Sequence, residues 1–229
     1  MPIKKVNLPF FGKDAMLTMN QLLQNPTGKK TSHTTARYRV IEDLENRMTK
    51  MIKDNGKFKF NVFDDGDKYV FLFKVPSESY KGLFYDVVLE FRPTNDDQKD
   101  SKNIKNYAMR IFSNSPHFTF TFTYVVNDNG LLVPWVKPKC NSRALKDKPK
   151  VTNPILEYGF EKSVYYATLY IKKNRLFNKS TLDKNRIKFN NNEVLGKIKT
   201  QSSKLKEYNS AKKNNKKKKK PKQSAKKRK

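Results

Sequence analysis

The spacing of apolar residues changes from a helical to a strand period near residue 57. Before that point apolar residues recur every three or four positions, and Asn55-Gly56 supplies a stop, so the pattern predicts a helix over about residues 36–54. After it, apolar and polar residues alternate on both sides of Asp64-Asp65-Gly66-Asp67, which predicts a β-hairpin. We interpret the three aspartates as turn residues, because the later ligands of a calcium-binding loop are missing.

Alternation continues beyond the hairpin. It predicts three more strands, over residues 83–91, 107–112 and 118–126. A polar turn then leads into residues 131–135. Phe120 and Phe122 are predicted to be core residues on the last strand, and a platform that stacks on bases is the alternative for such rings. Short polar turns favour an antiparallel sheet, so the predicted fold class is α+β, with about five to six strands and flanking helices.

Helical signals return in the last third of the chain. Asn153-Pro154 is typical of a helix start, and an apolar stripe at helical spacing follows it. Ser180, with Asp183 three residues later, indicates a short third helix. Apolar residues become scarce after Gly196, so a single domain is predicted over residues 34–199.

Both ends of the chain are predicted to lie outside that domain. Prolines interrupt residues 1–33, and the apolar residues there are too few for a core, so we expect an extended arm that docks on the body or on a neighbouring subunit. Such an arm would contact protein neighbours and allows an oligomer. Residues 200–229 are predicted to form a disordered tail, because the last 21 residues hold twelve lysine or arginine side chains and no acid.

Positive charge is present in both the body and the tail. The formal net charge is +29; from Lys197 onward sixteen basic residues accompany one acid, and the preceding residues still carry +14. This distribution favours nucleic acid as the partner, with DNA preferred to RNA. Lysine is a hydrated point charge without the planar fork of arginine, so we expect contacts to phosphates rather than base readout. The predicted nucleic-acid-binding residues are Lys212, Lys213, Lys216, Lys217, Lys218, Lys219, Lys220, Lys222, Lys226, Lys227, Arg228 and Lys229.

A lysine-rich end has other uses, as a solubility device or a targeting address. Binding to an anionic membrane surface is disfavoured, because the tail offers neither an acyl chain nor an apolar helix face. The sequence has no apolar run of about 18 residues and no signal-peptide core. We therefore expect a soluble protein that is not secreted, located in the cytoplasm or a virion, or in the nucleus or nucleolus of a eukaryote.

Few residues are candidates for catalysis or metal binding. A structural zinc site needs four Cys or His ligands, and the chain has three such residues, Cys140, His33 and His117. Gly28-Lys29 is followed by lysine where a P-loop needs Ser or Thr. Nearby cations could lower the thiol pKa of Cys140, but no base follows it at a recognisable spacing, and we interpret His117 as structural. The sequence predicts a protein that is not an enzyme and needs no metal or cofactor.

Residues 80–93 carry one further pattern. The order of Tyr80, Gly82, alternating aliphatic residues and the closing Phe and Pro resembles the third strand of ubiquitin-conjugating enzymes and their inactive relatives, and residues 118–130 resemble a later strand and turn. The resemblance covers about 50 residues. The His-Pro-Asn signature of the family is absent, and Leu132-Val133 stands where its catalytic cysteine is expected. The resemblance therefore implies a non-catalytic scaffold, although unrelated antiparallel strands can converge on the same order.

These features predict a non-enzymatic structural protein that binds nucleic acid without sequence preference. The leading context is a component of a phage or virus in contact with the packaged genome. Two alternatives stay open, a ribosome-associated or nucleolar RNA-binding protein and a non-catalytic scaffold for protein interactions. Copurification with nucleic acid that is lost at high salt would separate the scaffold from the other two.

Overall fold

A computed structural model describes residues 17–24, 41–153, 158, 161–184 and 186–219. The strands are β1 (Lys59–Asp64), β2 (Tyr69–Pro76), β3 (Phe84–Arg92), β4 (Ala108–Ser113) and β5 (Arg186–Lys188). The α-helices are α1 (Met19–Gln24), α2 (Ile41–Asn55), α3 (Asp96–Asp100), α4 (Thr123–Asp128), α5 (Ser142–Lys146), α6 (Lys162–Lys173), α7 (Lys179–Leu182), α8 (Asn191–Gly196) and α9 (Gln201–Lys219). A π-helix spans Phe118–Phe122 and a 3-10 helix spans Pro134–Lys139. The predicted α+β class, with a sheet flanked by helices, is confirmed.

The sheet has the order β4-β3-β2-β1-β5. Its first four strands form the antiparallel meander predicted from the alternating residues, with α2 before it in the chain. The short strand β5 pairs with β1 in parallel. All three of its side chains are exposed, so the sequence has no alternation of buried and exposed residues that would predict this strand. On the opposite edge, Ile111 of β4 donates its backbone N–H to the carbonyl of Leu131 (2.8 Å). That contact pairs part of an edge strand that would otherwise expose free backbone groups.

Both faces of the sheet are covered, as the nearly uniform burial of β2 requires. On one face Phe73 lies 6.0 Å from the Tyr170 ring of α6, in an edge-on contact. On the other face Glu90 accepts a hydrogen bond from Trp135 of the 3-10 helix (2.8 Å). Burial of the Phe and Val side chains between these layers is the main source of stability, at about 25 cal/mol for each Å² of apolar surface.

The predicted strand over residues 118–126 is wrong, because this segment is helical. Pro116 stands in the first turn, where its missing N–H costs nothing, and Ser115 Oγ accepts from the N–H of Phe118 (3.1 Å). The hydroxyl of Thr119 donates a hydrogen bond to the carbonyl of Ser115 (2.8 Å), four residues earlier, as threonine side chains do in helices. The buried apolar residues of this segment are Phe118, Phe122, Val125 and Val126, at helical spacing, whereas Phe120 is 47% exposed. The placement of Phe120 in the core was therefore wrong.

Three further element boundaries differ from those predicted. Residues 131–135 contribute one bridge, from Leu132 to Ile111, because the 3-10 helix begins at Pro134. The long helix α6 begins at Lys162, where Glu161 caps it, and Pro154, its predicted start, lies outside the described residues. The short helix α7 was predicted correctly, although Asn178 rather than Ser180 is its N-cap residue.

Near the N-terminus, the described part of the predicted arm is helical rather than extended. Leu17, Leu22 and Leu23 are buried, and the N–H of Met109 in β4 donates to the carbonyl of Leu17 (2.6 Å). Docking of this segment on the body is thus confirmed. Residues 1–16 and 25–40 lie outside the described residues, as does any contact that they make with other chains.

Near the C-terminus, helical structure continues past residue 200, where the predicted tail begins. Gln201 to Lys219 form α9, and its first residue is fully buried. Residues 220–229 lie outside the described residues. The lysine run therefore begins on α9, and the base of this helix positions the part of the run that the structure describes.

Candidate nucleic-acid interface

The first residue of α9 is fixed by three hydrogen bonds. The Gln201 side chain donates through Nε2 to the Ser113 carbonyl (3.0 Å) and to Thr123 Oγ1 (3.0 Å), and its Oε1 accepts from the N–H of Asn141 (2.7 Å). These partners lie on β4, on α4 and immediately before α5. A buried amide with its donors and acceptor satisfied holds the helix in one orientation, since any movement would leave polar groups unpaired.

A second connection joins the residues just before α9 to the sheet. Asp86 is buried on β3, and its Oδ2 accepts from the Lys199 N–H (2.8 Å) and from Asn114 Nδ2 (2.9 Å). Its Oδ1 forms an ion pair with Lys74, whose ammonium also donates to the carbonyl of Lys197 (2.9 Å). The cation and the N–H donors satisfy the buried carboxylate, so this cluster ties residues 197–199 to β2 and β3.

The second turn of α9 is held by charge and by an aromatic contact. Glu207 forms ion pairs with Lys199 (2.6 Å) and with the buried Lys204 (2.7 Å). Burial opposes ionisation of Glu207, but the hydrogen bonds from these lysines outweigh it and lower the pKa of the carboxyl. The Tyr208 ring meets the Tyr80 ring edge-on, with centroids 5.3 Å apart. The helix is therefore anchored over about two turns.

Lysines of the body and of α9 line one open cleft of about 340 Å³. Lys59 and Lys74 come from β1 and β2, Lys199 precedes α9, and Lys204 lies on it. Two acids share this cleft, and both already hold lysine side chains. Four cations with two carboxylates leave excess positive charge at the base of α9, which favours an anionic ligand.

The structure places only some of the predicted binding residues. Lys212 and Lys213 are exposed on α9, and Lys216–Lys219 lie on its last turn. Lys220, Lys222, Lys226, Lys227, Arg228 and Lys229 lie outside the described residues. At about 1.5 Å per residue, the 19 residues of α9 extend for about 28 Å. The described lysines therefore follow a helix of defined direction instead of the predicted disordered chain.

Sequence reasoning missed the base of α9, although one local signal was present. Thr200 Oγ1 accepts from the N–H of Ser203 (3.1 Å), which is the geometry of an N-cap. The apolar periodicity that marks most helices is absent, because the anchoring side chains of α9 are mainly polar. The partners of Gln201, such as Ser113 and Thr123, are about 80 to 90 positions away in sequence.

Cys140 does not have the lowered pKa that its basic neighbours suggested. Burial raises the pKa of its thiol to about 12, and the nearby Lys137 opposes this only in part. The Sγ lies 3.8 Å from the carbonyl of Val136, to which the thiol donates. The prediction of an unreactive thiol stays a prediction, now with a physical reason, since the thiolate is the reactive form.

We expect Cys140→Ser to leave nucleic-acid binding unchanged, because the half-buried thiol does not line the lysine-rich cleft and contributes only a weak hydrogen bond. The native thiol should react with a disulfide reagent at neutral pH at least about a hundredfold more slowly than in denaturant, since the raised pKa depletes thiolate. The absorbance of the thiolate released from the reagent measures the rates in the native and the denatured protein. Equal rates would show that burial does not suppress the thiolate of Cys140, and a faster native rate would show that it is activated.

The remaining candidates for chemistry have structural contacts. The His117 ring lies edge-on to Phe122, with centroids 5.2 Å apart, while the nearby Ser115 hydroxyl donates to Glu161 (2.8 Å). Asp64 Oδ1 accepts from the N–H of Gly66 (2.8 Å), as expected of a turn aspartate. Within the described ranges, no three His, Cys, Asp or Glu side chains come together as a metal site. None of the helices in those ranges is long and apolar enough to cross a membrane.

Comparisons with known proteins give no relative for this chain. No protein-family model matches it, and neither does any curated protein or solved structure. The resemblance of residues 80–93 to ubiquitin-conjugating enzymes gains no support from these comparisons. The function must therefore be inferred from the site alone.

Proposed function

We propose that this protein binds the phosphates of nucleic acid without reading sequence, through α9, the lysines that follow it and the cleft at its base. One observation carries the proposal: Gln201 and Asp86 fix the start of α9 beside Lys59 and Lys74. The positive charge of the body and that of the helix are therefore contiguous. A polyanion that contacts α9 can also reach the cleft.

The chemistry of the lysines explains why the proposed binding is nonspecific. Each ammonium is a point charge that accepts any phosphate oxygen, and each phosphate contact on duplex DNA releases about 0.9 counterion. No residue from Tyr208 to Lys229 is acidic, so nothing in this segment competes with the phosphates. Affinity from such contacts depends strongly on salt and little on the base sequence.

The biological setting that suits this chemistry is a structural protein of a phage or virus, in contact with the packaged genome. A ribosome-associated or nucleolar protein would use the same phosphate contacts on RNA. Salt titrations on duplex DNA and on structured RNA of equal length compare the two settings. A scaffold for protein interactions predicts no salt-dependent binding to either, and that result would contradict the proposed function.

The contribution of the cleft can be tested by one charge removal. Lys59→Gln should lower duplex affinity and reduce the slope of log affinity against log salt by about 1, because one phosphate contact is lost. Fluorescence anisotropy of a labelled duplex over a range of salt concentrations measures the slope. Lys102→Gln is the matched control, since Lys102 is exposed beyond the opposite end of β3 and should leave the slope unchanged. Equal slopes in both variants would show that the cleft takes no part.

A further inference from the structure

A second open groove, of about 310 Å³, lies next to the first turn of α9. The π-helix and α4 form one side, with Phe120 and Tyr124, and the segment from Asn141 to Pro149 forms the other. Asn141 connects this groove to α9, because its Nδ2 donates to the Ser202 hydroxyl (3.3 Å). The groove therefore borders the first turn of the helix that carries the lysine run.

Phe120 is the most unusual side chain in this groove. It is 47% exposed, and among the described residues only Val151 and Ile187 are other large apolar side chains with comparable exposure. The backbone around the ring is fixed, since the Thr152 hydroxyl donates to the Phe120 carbonyl (2.7 Å). Asn153 Nδ2 likewise donates to the Thr121 carbonyl (3.1 Å). The exposed ring thus projects from a backbone segment that these hydrogen bonds hold in place, which limits the ordering cost when a ligand binds.

The charge around the ring is positive. Arg143 and Lys148 line the groove together with Asp147, and Lys146 and Lys150 lie beside them in sequence. Asp147 is the one acid between residues 143 and 150, and in the described part of the chain no carboxylate lies within ion-pair distance of Arg143 or Lys148. Four cations in eight residues favour an anionic ligand over an apolar peptide.

Aromatic rings beside free cations suit single-stranded nucleic acid in particular. Stacking of a base on an aromatic ring contributes about 1 to 3 kcal/mol without sequence preference, while neighbouring cations contact the backbone. In a duplex the bases are already stacked, so the ring cannot reach a base face. An exposed ring such as that of Phe120 can therefore favour single strands over duplexes, whereas lysine ammonium groups contact the phosphates of both forms.

We propose that this groove binds an unpaired base of single-stranded nucleic acid, with the base stacked on Phe120 beside Tyr124. Arg143 and Lys148 contact the phosphates on either side of that base. The inference rests on the proposed function and deepens it, because it gives the protein a preference for single strands. The phosphate contacts of α9 supply affinity for both forms, and the groove adds affinity for one.

The test compares a labelled oligothymidine strand with a duplex of equal length, using the full chain and fluorescence anisotropy. Phe120→Ala should weaken single-strand binding about tenfold and leave duplex binding unchanged. The loss should persist as salt rises, because stacking does not release counterions. Phe120→Tyr should retain binding, whereas Phe120→Leu, which keeps apolar volume without the ring, should lose it. Ile187→Ala is the control, an exposed apolar residue on β5, and should bind as the unchanged protein does.

Each other outcome has a definite meaning. If the unchanged protein binds neither strand nor duplex, the proposed function fails, and the groove proposal fails with it. If it binds both and Phe120→Ala binds equally well, only the groove proposal is overturned. Retention of single-strand binding by Phe120→Leu would show that the groove needs apolar volume rather than a ring, as for an apolar partner. Equal losses of affinity for strand and duplex would show that Phe120 maintains the fold instead of contacting a base. Arg143→Gln with Lys148→Gln gives an independent check, with an expected fall in the single-strand salt slope of about 1 to 1.5.

Discussion

A chain that ends at Tyr208 should lose most of the salt dependence of its nucleic-acid affinity. Removing residues 209–229 takes away twelve basic residues and no acid, which lowers the formal charge from +29 to +17. If about six of those side chains contact duplex phosphates, log affinity should fall with log salt at a slope of about −5 in the full chain. Truncation should remove most of that slope, and affinity at low salt should fall by orders of magnitude.

The structure makes this truncation informative, because the cut spares the anchor. Gln201, Lys204 and Glu207 remain, and so does the contact of Tyr208 with Tyr80. No buried residue is removed from the described part of the chain. We therefore expect the truncated protein to melt at nearly the same temperature as the full chain, so that a loss of binding reports the loss of charge.

A matched pair of full-length variants separates charge from length. Changing Lys216–Lys220 to arginine keeps five charges, and changing the same residues to glutamine removes them, while all three residue types have similar helix propensity. The arginine variant should keep the salt slope, and the glutamine variant should reduce it by up to about 4.5. Two unrelated duplexes should give the same values. Equal slopes before and after truncation would show that the body carries the contact, and a large preference for one duplex would reveal base readout.

The helical start of the lysine run has an energetic consequence. Lysines three and four positions apart on a helix repel one another, and each such pair costs about 0.2 to 0.5 kcal/mol. Phosphates bound along α9 would relieve this repulsion. The anchored base also sets the direction of the helix, so less conformational entropy is lost on binding than for a free chain.

The meander was predictable because its sequence pattern allows one interpretation. Residues 58–75 alternate around a turn in which aspartates bond to nearby N–H groups, and both signals are local. The periodic apolar residues before Gly56 predicted α2 in the same way, and the helix is present over the described part of the predicted range, from residue 41 onward. Local signals therefore sufficed wherever periodicity and turn chemistry agreed.

The base of α9 could not be found by the same reasoning, because long-range polar contacts hold it. Gln201 and Lys204 are buried, yet their side chains are of types that are mostly exposed in proteins. What buries Gln201 is a set of partners on β4, α4 and the start of α5, and only the fold brings them together. The run of lysines predicted a binding region, but nothing in the sequence indicated that this run begins on an anchored helix.

Residues 118–126 were mispredicted because the spacing of their apolar residues fits both a strand and a helix. Phe118 and Phe122 are separated by four residues, which suits both a strand face and a helix face. The residue between them decides the matter, since Phe120 shares their side in a strand but not in a helix. The cap at Ser115 and the proline after it favour the helix, and they stand outside the alternating pattern.

Phe122→Ala should destabilise the protein by about 3 to 5 kcal/mol, whereas Phe120→Ala should change the free energy of unfolding by at most about 0.5 kcal/mol. Phe122 is 1% exposed and packs edge-on against Tyr158, with centroids 5.2 Å apart, so its removal leaves a cavity. Phe120 is 47% exposed and lines an open groove, so its removal leaves no enclosed cavity. Urea unfolding followed by circular dichroism measures both values, and unchanged m-values would confirm that the midpoints report stability. Similar losses of stability in the two variants would place both rings on one buried face, as in the strand that the sequence predicted.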